Sequence, residues 1–323
     1  MKTGDIVFNC PACNSNKIAD KWLDRRISSD TKIFWCANCG FGWQYPMPMP
    51  KEIHDYYDNY TVYNIHGANE KEESCQKRVC RIDKLQCMHG RLLDIGSGIG
   101  IFLKIAKKDG WDVTGIEPQK SAALYCRNQL GIDVHLGTIR DVKLEPESFD
   151  VVTLWDVWEH VYDPLFFLDQ CIKLIRPGGL FVMSVPNASG WPARIFKGQW
   201  RYVMKTHLNY FTLSYVRRII TQKSMMIERI DHTMKIQSML QGFASRLPLK
   251  IDTERIIRLG RKGSIEQGRP EQSQTNDSTK ISPIILEILS LARFVALKIN
   301  LASLPGPYGD MMDIYCRKQK TSI

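Results

Sequence analysis

The apolar and polar positions of this 323-residue chain fall into short apolar runs that alternate with longer periodic stretches. Leu92, Leu93 and Ile95 read as a brief buried strand. Gly96, Gly98 and Gly100 follow, and then Ile101, Ile105 and Ala106 repeat at helical spacing until Gly110. Val113 to Glu117 is a second strand, and the helix after it opens at Pro118 and closes at Gly131. Ile132 to Gly137 and Phe149 to Leu154 are the third and fourth strands. Asp163 and Pro164 start a helix with apolar Leu165, Leu168, Ile172 and Ile175, stopped by Pro177-Gly178-Gly179. Leu180 to Val185 is the fifth strand, Thr212 to Gln222 a further helix, Met225 to His232 the sixth strand and Asp310 to Cys316 the last. Strands alternating with helices predict an α/β fold, a Rossmann-like, seven-stranded, mostly parallel sheet with helices on both faces. Its ligand crevice lies at the carboxyl ends of the strands.

The flanks carry weaker patterns. Glu52 to Tyr60 reads as a short helix with an aromatic stripe, Ile53, Tyr56, Tyr57 and Tyr60. Glu70 to His89 is an amphipathic helix with Val79, Ile82 and Leu85 on its buried side and Cys75, Cys80 and Cys87 as packing thiols. Between the sixth and last strands lies an insertion, Met234 to Tyr308. Its stretch Ser264 to Lys280 is polar and expected to be mobile. Ser282 to Leu301 is an apolar helix interrupted by Glu287, Arg293 and Lys298; packing on the sheet or on a second subunit is favoured over peripheral contact with a membrane interface. The expected units are a ribbon and linker (1–50), a helical connector (51–90), a core (91–233), the insertion (234–308) and a last strand with its tail (309–323).

Composition narrows the class. Hydrophobic content of 44% and charged content of 24% are ordinary for a globular protein. The start shows no apolar segment of signal-peptide type and no apolar run of 18 residues occurs, so a cytoplasmic location is expected. Ten cysteines without an export signal point to metal ligation or free thiols. Net charge is +10, and Arg194 to Lys235 holds nine Lys/Arg against Glu228 and Asp231, a local +7. That excess suits an anionic substrate, RNA or a membrane surface, and equally a solvated face.

Two clusters carry chemistry. Cys10-x2-Cys13 and Cys36-x2-Cys39, 22 residues apart, can present four thiolates from two tight turns around Zn²⁺. Four thiolates leave no open coordination position, so the metal is structural. At the other cluster, a dinucleotide fingerprint would place glycine at position 101, where the chain has Ile101. Asp94, at the mouth of the loop, would repel a pyrophosphate but suits a ligand with an ammonium and a sulfonium. Glu117 stands 23 residues further on, where a carboxylate can accept both hydroxyls of a ribose.

Together Asp94, the glycines and Glu117 resemble the S-adenosylmethionine (SAM) site of class I methyltransferases, and the resemblance covers the ribbon, residues 91–233 and the final strand. It implies cofactor contacts from Asp94, Gly96, Ser97, Gly98, Gly100, Glu117, Pro118, Thr138, Ile139, Trp155 and Asp156. The adenine falls at Gly137-Thr138-Ile139, which lacks the acid many relatives carry, so backbone groups and Ile139 are expected to read it. It also implies that the last strand inserts antiparallel between strands five and six. No Asn/Asp-Pro-Pro-Tyr and no Pro-Cys nucleophile stands after strand four. Instead Trp155 to Val161 resembles the Glu-His segment of ubiquinone-biosynthesis O-methyltransferases. Asp156, Glu159 and His160 resemble the E-x-x-E-H pattern that some of those use to hold a divalent ion such as Mg²⁺, with Asp in place of the first acid. His160 is alternatively a general base, or a locally bonded loop histidine. His207 to Phe211 resembles the family's His-x-x-x-Phe segment, which makes His207 a second candidate base. Trp191, Phe196, Trp200 and Tyr202 mix with Arg194, Lys197, Arg201 and Lys205, a set suited to a stacked anionic acceptor such as a nucleotide-linked sugar, or to RNA. The expected activity is SAM-dependent methyl transfer to a small molecule. The alternatives are an RNA methyltransferase and a non-catalytic binding protein on the same fold; the intact glycines, Asp94 and Glu117 argue against the last. The atom methylated and the oligomeric state stay open.

Overall fold

The computed structural model describes residues 9–23, 31–53, 68–234 and 309–320. The insertion beyond Met234, the segment 282–301 and most of the stripe 52–60 lie outside the described residues. A seven-stranded sheet forms the core. It is built from β4 (Arg91–Ile95), β5 (Asp112–Glu117), β6 (Asp133–Leu136), β7 (Phe149–Trp155), β8 (Ile175–Pro186), β10 (Met225–Thr233) and β11 (Met311–Lys318). The order across the sheet is β10-β11-β8-β7-β4-β5-β6. Strands β4 to β8 are parallel, and β11 runs antiparallel to both β8 and β10. This is the Rossmann-like arrangement that the periodicity predicts, with the last strand where the resemblance puts it. Chain order reverses at β4, whose neighbours are β5 and β7, and in such sheets ligands bind at the carboxyl ends of the strands at this switch point.

The helices that dress the sheet are α1 (Ala68–Leu85), α2 (Ile101–Lys108), α3 (Lys120–Leu130), α4 (Pro164–Leu174), α5 (Trp191–Phe196) and α6 (Leu213–Gln222). Local chemistry sets their ends. Gly131 closes α3 in the left-handed region at φ 59°. The Asp163 carboxylate caps α4 by accepting the Phe166 N–H at 3.1 Å, with Pro164 in the first turn. Thr212 caps α6 through the Tyr215 N–H. One apolar cluster joins α1 (Val79, Ile82), α2 and α3 to one face of the sheet; another joins α4 and α6 to the opposite face.

Three expectations are corrected. Helix α4 stops at Leu174, and Ile175-Arg176-Pro177-Gly178-Gly179 already belongs to β8, because β7 pairs with it from Phe149 opposite Ile175. Of the α1 cysteines only Cys75 is buried; Cys80 is exposed, and Cys87, also exposed, lies beyond the helix end, so neither packs. Trp200, Phe196 and Tyr202 are core residues of the junction with the N-terminal sheet rather than a stacking platform open to a ligand.

That N-terminal sheet is not a separate bead. It runs β1 (Ile18–Leu23), β2 (Lys32–Cys36) and β3 (Gly42–Tyr45), and continues into β9 (Asn209–Tyr210) of the core segment. Phe41 and Trp43 share an apolar cluster with Phe211 and Tyr215.

Candidate active site and cysteine cluster

The cofactor loop follows β4. Asp94 lies inside the strand, opposite Thr153 of β7 and Gly115 of β5. Its carboxylate accepts the Thr153 hydroxyl at 2.7 Å. Burial pushes its pKa up to about 7, although the Thr153 hydrogen bond and the nearby Arg78 charge pull the other way. Glu117 ends β5, and its two oxygens accept the Gly98 N–H at 2.7 Å and the Gln119 N–H at 2.9 Å. Burial also raises its pKa. Each oxygen retains a second lone pair for a ligand hydroxyl.

Two glycines explain why the loop needs them. Gly96 (φ 77°) carries its missing Cβ position 2.5 Å from Val157 Cγ2. Gly98 (φ 54°) faces open space at that position, a cradle that a side chain would fill. The Ser97 hydroxyl, on the Gly115 side of the loop, and the Trp155 indole N–H, at the end of β7, are buried and have no hydrogen-bond partner. Unpaired buried polar groups call for a ligand or water. A nucleoside with hydroxyls and a charged amino-acid tail meets the donors and acceptors present, so the residues fit SAM.

Pro118, Thr138, Ile139 and Asp156 are further residues expected to contact the cofactor. Pro118 follows Glu117 at the carboxyl end of β5. The Thr138 N–H and hydroxyl are both bound to Asp141, at 2.8 and 2.7 Å, so they are already occupied. Ile139 is nearly buried in the core cluster. Asp156 is exposed, in the left-handed region at φ 59°. One contributor escapes the sequence reading: Arg78 of α1 stacks 4.1 Å from the Trp155 ring, donates to the Ser184 hydroxyl and lies 3.8 Å from Asp313. A cation three residues after Cys75, within the buried stripe of α1, is the signal that could have found it.

Beyond β7, a short 3₁₀ turn (Trp158–His160) carries Glu159 and His160. His160 Nδ1 donates to the Thr206 carbonyl at 2.8 Å, so the neutral ring carries its lone pair on Nε2. Burial pushes its pKa down to about 4. His207 meets His160 edge-on, with ring centroids 4.6 Å apart, and its Nδ1 has no partner. Burial and the neighbouring His160 hold His207 well below the usual range. Glu159 is fully buried, Oε2 is unpaired, and burial with the Asp156 charge raises its pKa well above the ordinary value. Ligand atoms of Glu159, His160 and His207 lie within 4.8 Å of one another. The expected trio of Asp156, Glu159 and His160 is not the one that gathers: the β7 exit points Asp156 outward, and His207 takes its place. Mg²⁺ prefers near-ideal oxygen coordination, which a set with two imidazoles does not offer.

In the N-terminal sheet, Cys10, Cys13, Cys36 and Cys39 bring their sulfurs within 4.8 Å of one another. The Cys10–Cys39 and Cys13–Cys36 separations are 3.6 and 3.5 Å. These spacings suit sulfurs arranged about 2.3 Å from a shared tetrahedral ion.

The methyltransferase-domain family matches residues 68–223. This segment is a class I methyltransferase domain. The domain is 34% identical over 123 residues to the ubiquinone biosynthesis O-methyltransferase of Nitrobacter winogradskyi, covering 36% of this chain and 47% of that protein. Its counterpart in Cereibacter sphaeroides is 40% identical over 102 residues, 30% of this chain and 41% of that one. The chain thus spans about half the length of these relatives. A chain of the complex between the Haloferax volcanii Trm112 methyltransferase activator and its methyltransferase superposes with a TM-score of 0.52 at 12% identity, covering 84% of this chain and 99% of that one. That likeness speaks for the fold alone. The four cysteines and strands β1 to β3 precede the matched residues, whereas β9 of the same sheet lies within them. Among the described residues no helix is long and apolar enough to cross a membrane.

Proposed function

We propose that the chain transfers a methyl group from SAM to a hydroxyl of a small acceptor, a sugar or nucleotide-linked sugar. The observation that carries this is the open space at Gly98, whose N–H the Glu117 carboxylate accepts, in the glycine loop that follows buried Asp94. Glu117 holds the ribose, Asp94 the ammonium, and Arg78 offers the opposite charge for a carboxylate. When bound, SAM supplies a methyl on a sulfonium, which any lone pair held in line can attack. Ionised Asp94 favours the cationic ligand, and that ligand in turn favours ionised Asp94.

On the acceptor side, His160 Nε2 receives the proton that the hydroxyl loses, while the Thr206 carbonyl fixes the ring's tautomer. His207 and Glu159 stand behind it. A cavity of about 210 Å³, lined by Trp22, Trp35, Ser189 and Arg194 among others, lies where the N-terminal sheet meets the core. Its exposed Arg194 guanidinium suits a phosphate, while Trp22 and Trp35 belong to the buried cluster of the junction. The oxygen acceptor is also in keeping with relatives named as O-methyltransferases. Zn²⁺ on the four cysteines would cross-link the knuckle and leave no open coordination position for a substrate.

The test is a pool of sugars and nucleotide sugars incubated with methyl-labelled SAM and the full chain. Label is expected in a hydroxyl-bearing product of the pool. Transfer to RNA alone would refute the small-molecule acceptor.

A further inference from the structure

The cysteine sheet is tied to the acceptor side of the site by three separate routes. The first is the backbone. Strand β3 pairs with β9, Gly42 opposite Tyr210 and Trp43 opposite Asn209. One step further, the Gln44 N–H donates to the Leu208 carbonyl at 2.9 Å, and the Leu208 N–H donates to the Glu159 carbonyl at 2.8 Å. Leu208 directly follows His207, so a single residue joins the sheet to both acceptor-side segments. The second route is aromatic. Phe41, two residues after Cys39 and fully buried, lies 5.9 Å from Phe211 and 5.0 Å from Tyr215. Phe211 stacks on Trp158 at 4.1 Å and 13°, and Trp158 begins the turn that carries Glu159 and His160. The third is a cap. The Thr212 hydroxyl donates to the Gly40 carbonyl at 2.9 Å, which pins the Cys36–Cys39 knuckle to the start of α6.

The hydrogen bonds of the SAM side run within the core sheet and its glycine loop, although Ile95, Ile116 and Ile139 share an apolar cluster with Phe41 and Cys36. The Gly96 N–H bonds to the Ile116 carbonyl at 2.8 Å, the Gly98 N–H to Glu117, and Asp94 to Thr153.

We infer that the metal-loaded knuckle positions the acceptor side of the site: with metal bound, the sheet holds His160 and His207 in one arrangement, and losing the metal frees that pair while sparing the SAM pocket. The inference rests on the reading of His160 and His207 as acceptor-facing groups. Phe41, Gln44 and Thr212 are then positioning residues, and the N-terminal sheet is a working part of the catalytic unit rather than an appended binding module.

The experiment uses the full zinc-loaded chain and its chelated form, with ¹⁵N imidazole NMR of the seven histidines. Signals are assigned by His160→Gln and His207→Gln, and SAM affinity is read by calorimetry. On chelation, His160 and His207 are expected to lose their single-tautomer shifts while SAM affinity stays within about threefold. Thr212→Val, with zinc still bound, should shift the same two signals, and Thr212→Ser should restore them. Phe41→Ala should shift them as well, and Thr212→Val serves as the second variant if Phe41→Ala fails to fold. The inference is overturned if both histidine signals survive metal loss unchanged. It is equally overturned if SAM affinity falls together with them by about tenfold or more, or if the purified chain carries no metal at the cysteines. A chain that binds no SAM at any stage would sink the proposed function instead, and the histidine signals would still report on the coupling.

Discussion

Gly98→Ala separates a loop that is merely tight from a loop that receives a ligand. The backbone there sits at φ 54°, and the position of the added methyl has nothing within 4 Å. The cost to the free protein is therefore only that of an L-residue in the left-handed region, about 1–2 kcal/mol. For a domain of this size that lowers the melting temperature by a few degrees. With SAM against the loop, the methyl enters space the ligand occupies, an overpacking penalty of about 1–3 kcal/mol. Affinity should fall roughly 5- to 150-fold. Gly96→Ala is the control of opposite kind: its methyl stands 2.5 Å from Val157 Cγ2, so the folded state itself suffers. Thermal melting and SAM calorimetry on both variants give the answer. A Gly98→Ala protein that binds SAM within twofold of wild type refutes the placement of the ligand against this loop.

Other outcomes follow from the same geometry. Asp94 has a folded pKa of about 7, above the unfolded value of about 3.9. The folded chain thus holds the extra proton, and the stability of the ligand-free protein falls as pH rises from about 4 to about 7. Because a cationic ligand favours the ionised form, SAM binding near pH 6.5 should release up to about one proton, seen as a buffer-dependent heat; Asp94→Asn should abolish it, and equal heats in all buffers would count against the role. Cys36→Ser should lower bound zinc measured by mass spectrometry; unchanged zinc would reject the four-cysteine site. His160→Ala should slow turnover at saturating SAM by about 10²–10⁴-fold and His207→Ala less, whereas a few-fold loss in both removes both from proton transfer.

The core was legible because its signals are local. Each strand of the core sheet announces itself by an apolar run, and several helices by a proline, glycine or capping residue at one end, so Asp94, the glycines and Glu117 fall at the carboxyl ends of the strands without tertiary knowledge. The rest depends on pairing between distant segments. Nothing in Gly42-Trp43-Gln44-Tyr45 foretells a partner at Asn209–Tyr210, and that pairing is what buries Trp200 and Tyr202 instead of leaving them to stack on a ligand. The same long-range closure brings His207 to Glu159 and His160, which spacing along the chain cannot show. The boundary of α4 was misplaced for a related reason: Gly178 and Gly179 look like a helix stop, yet sheet pairing claims the chain from Ile175.

A crystal structure of the full chain soaked with S-adenosylhomocysteine tests the central claim most directly. The account predicts the nucleoside over Gly98, its ribose hydroxyls on the Glu117 carboxylate and its amino group at Asp94. A ligand bound elsewhere, or this crevice empty at saturating concentration, would contradict it.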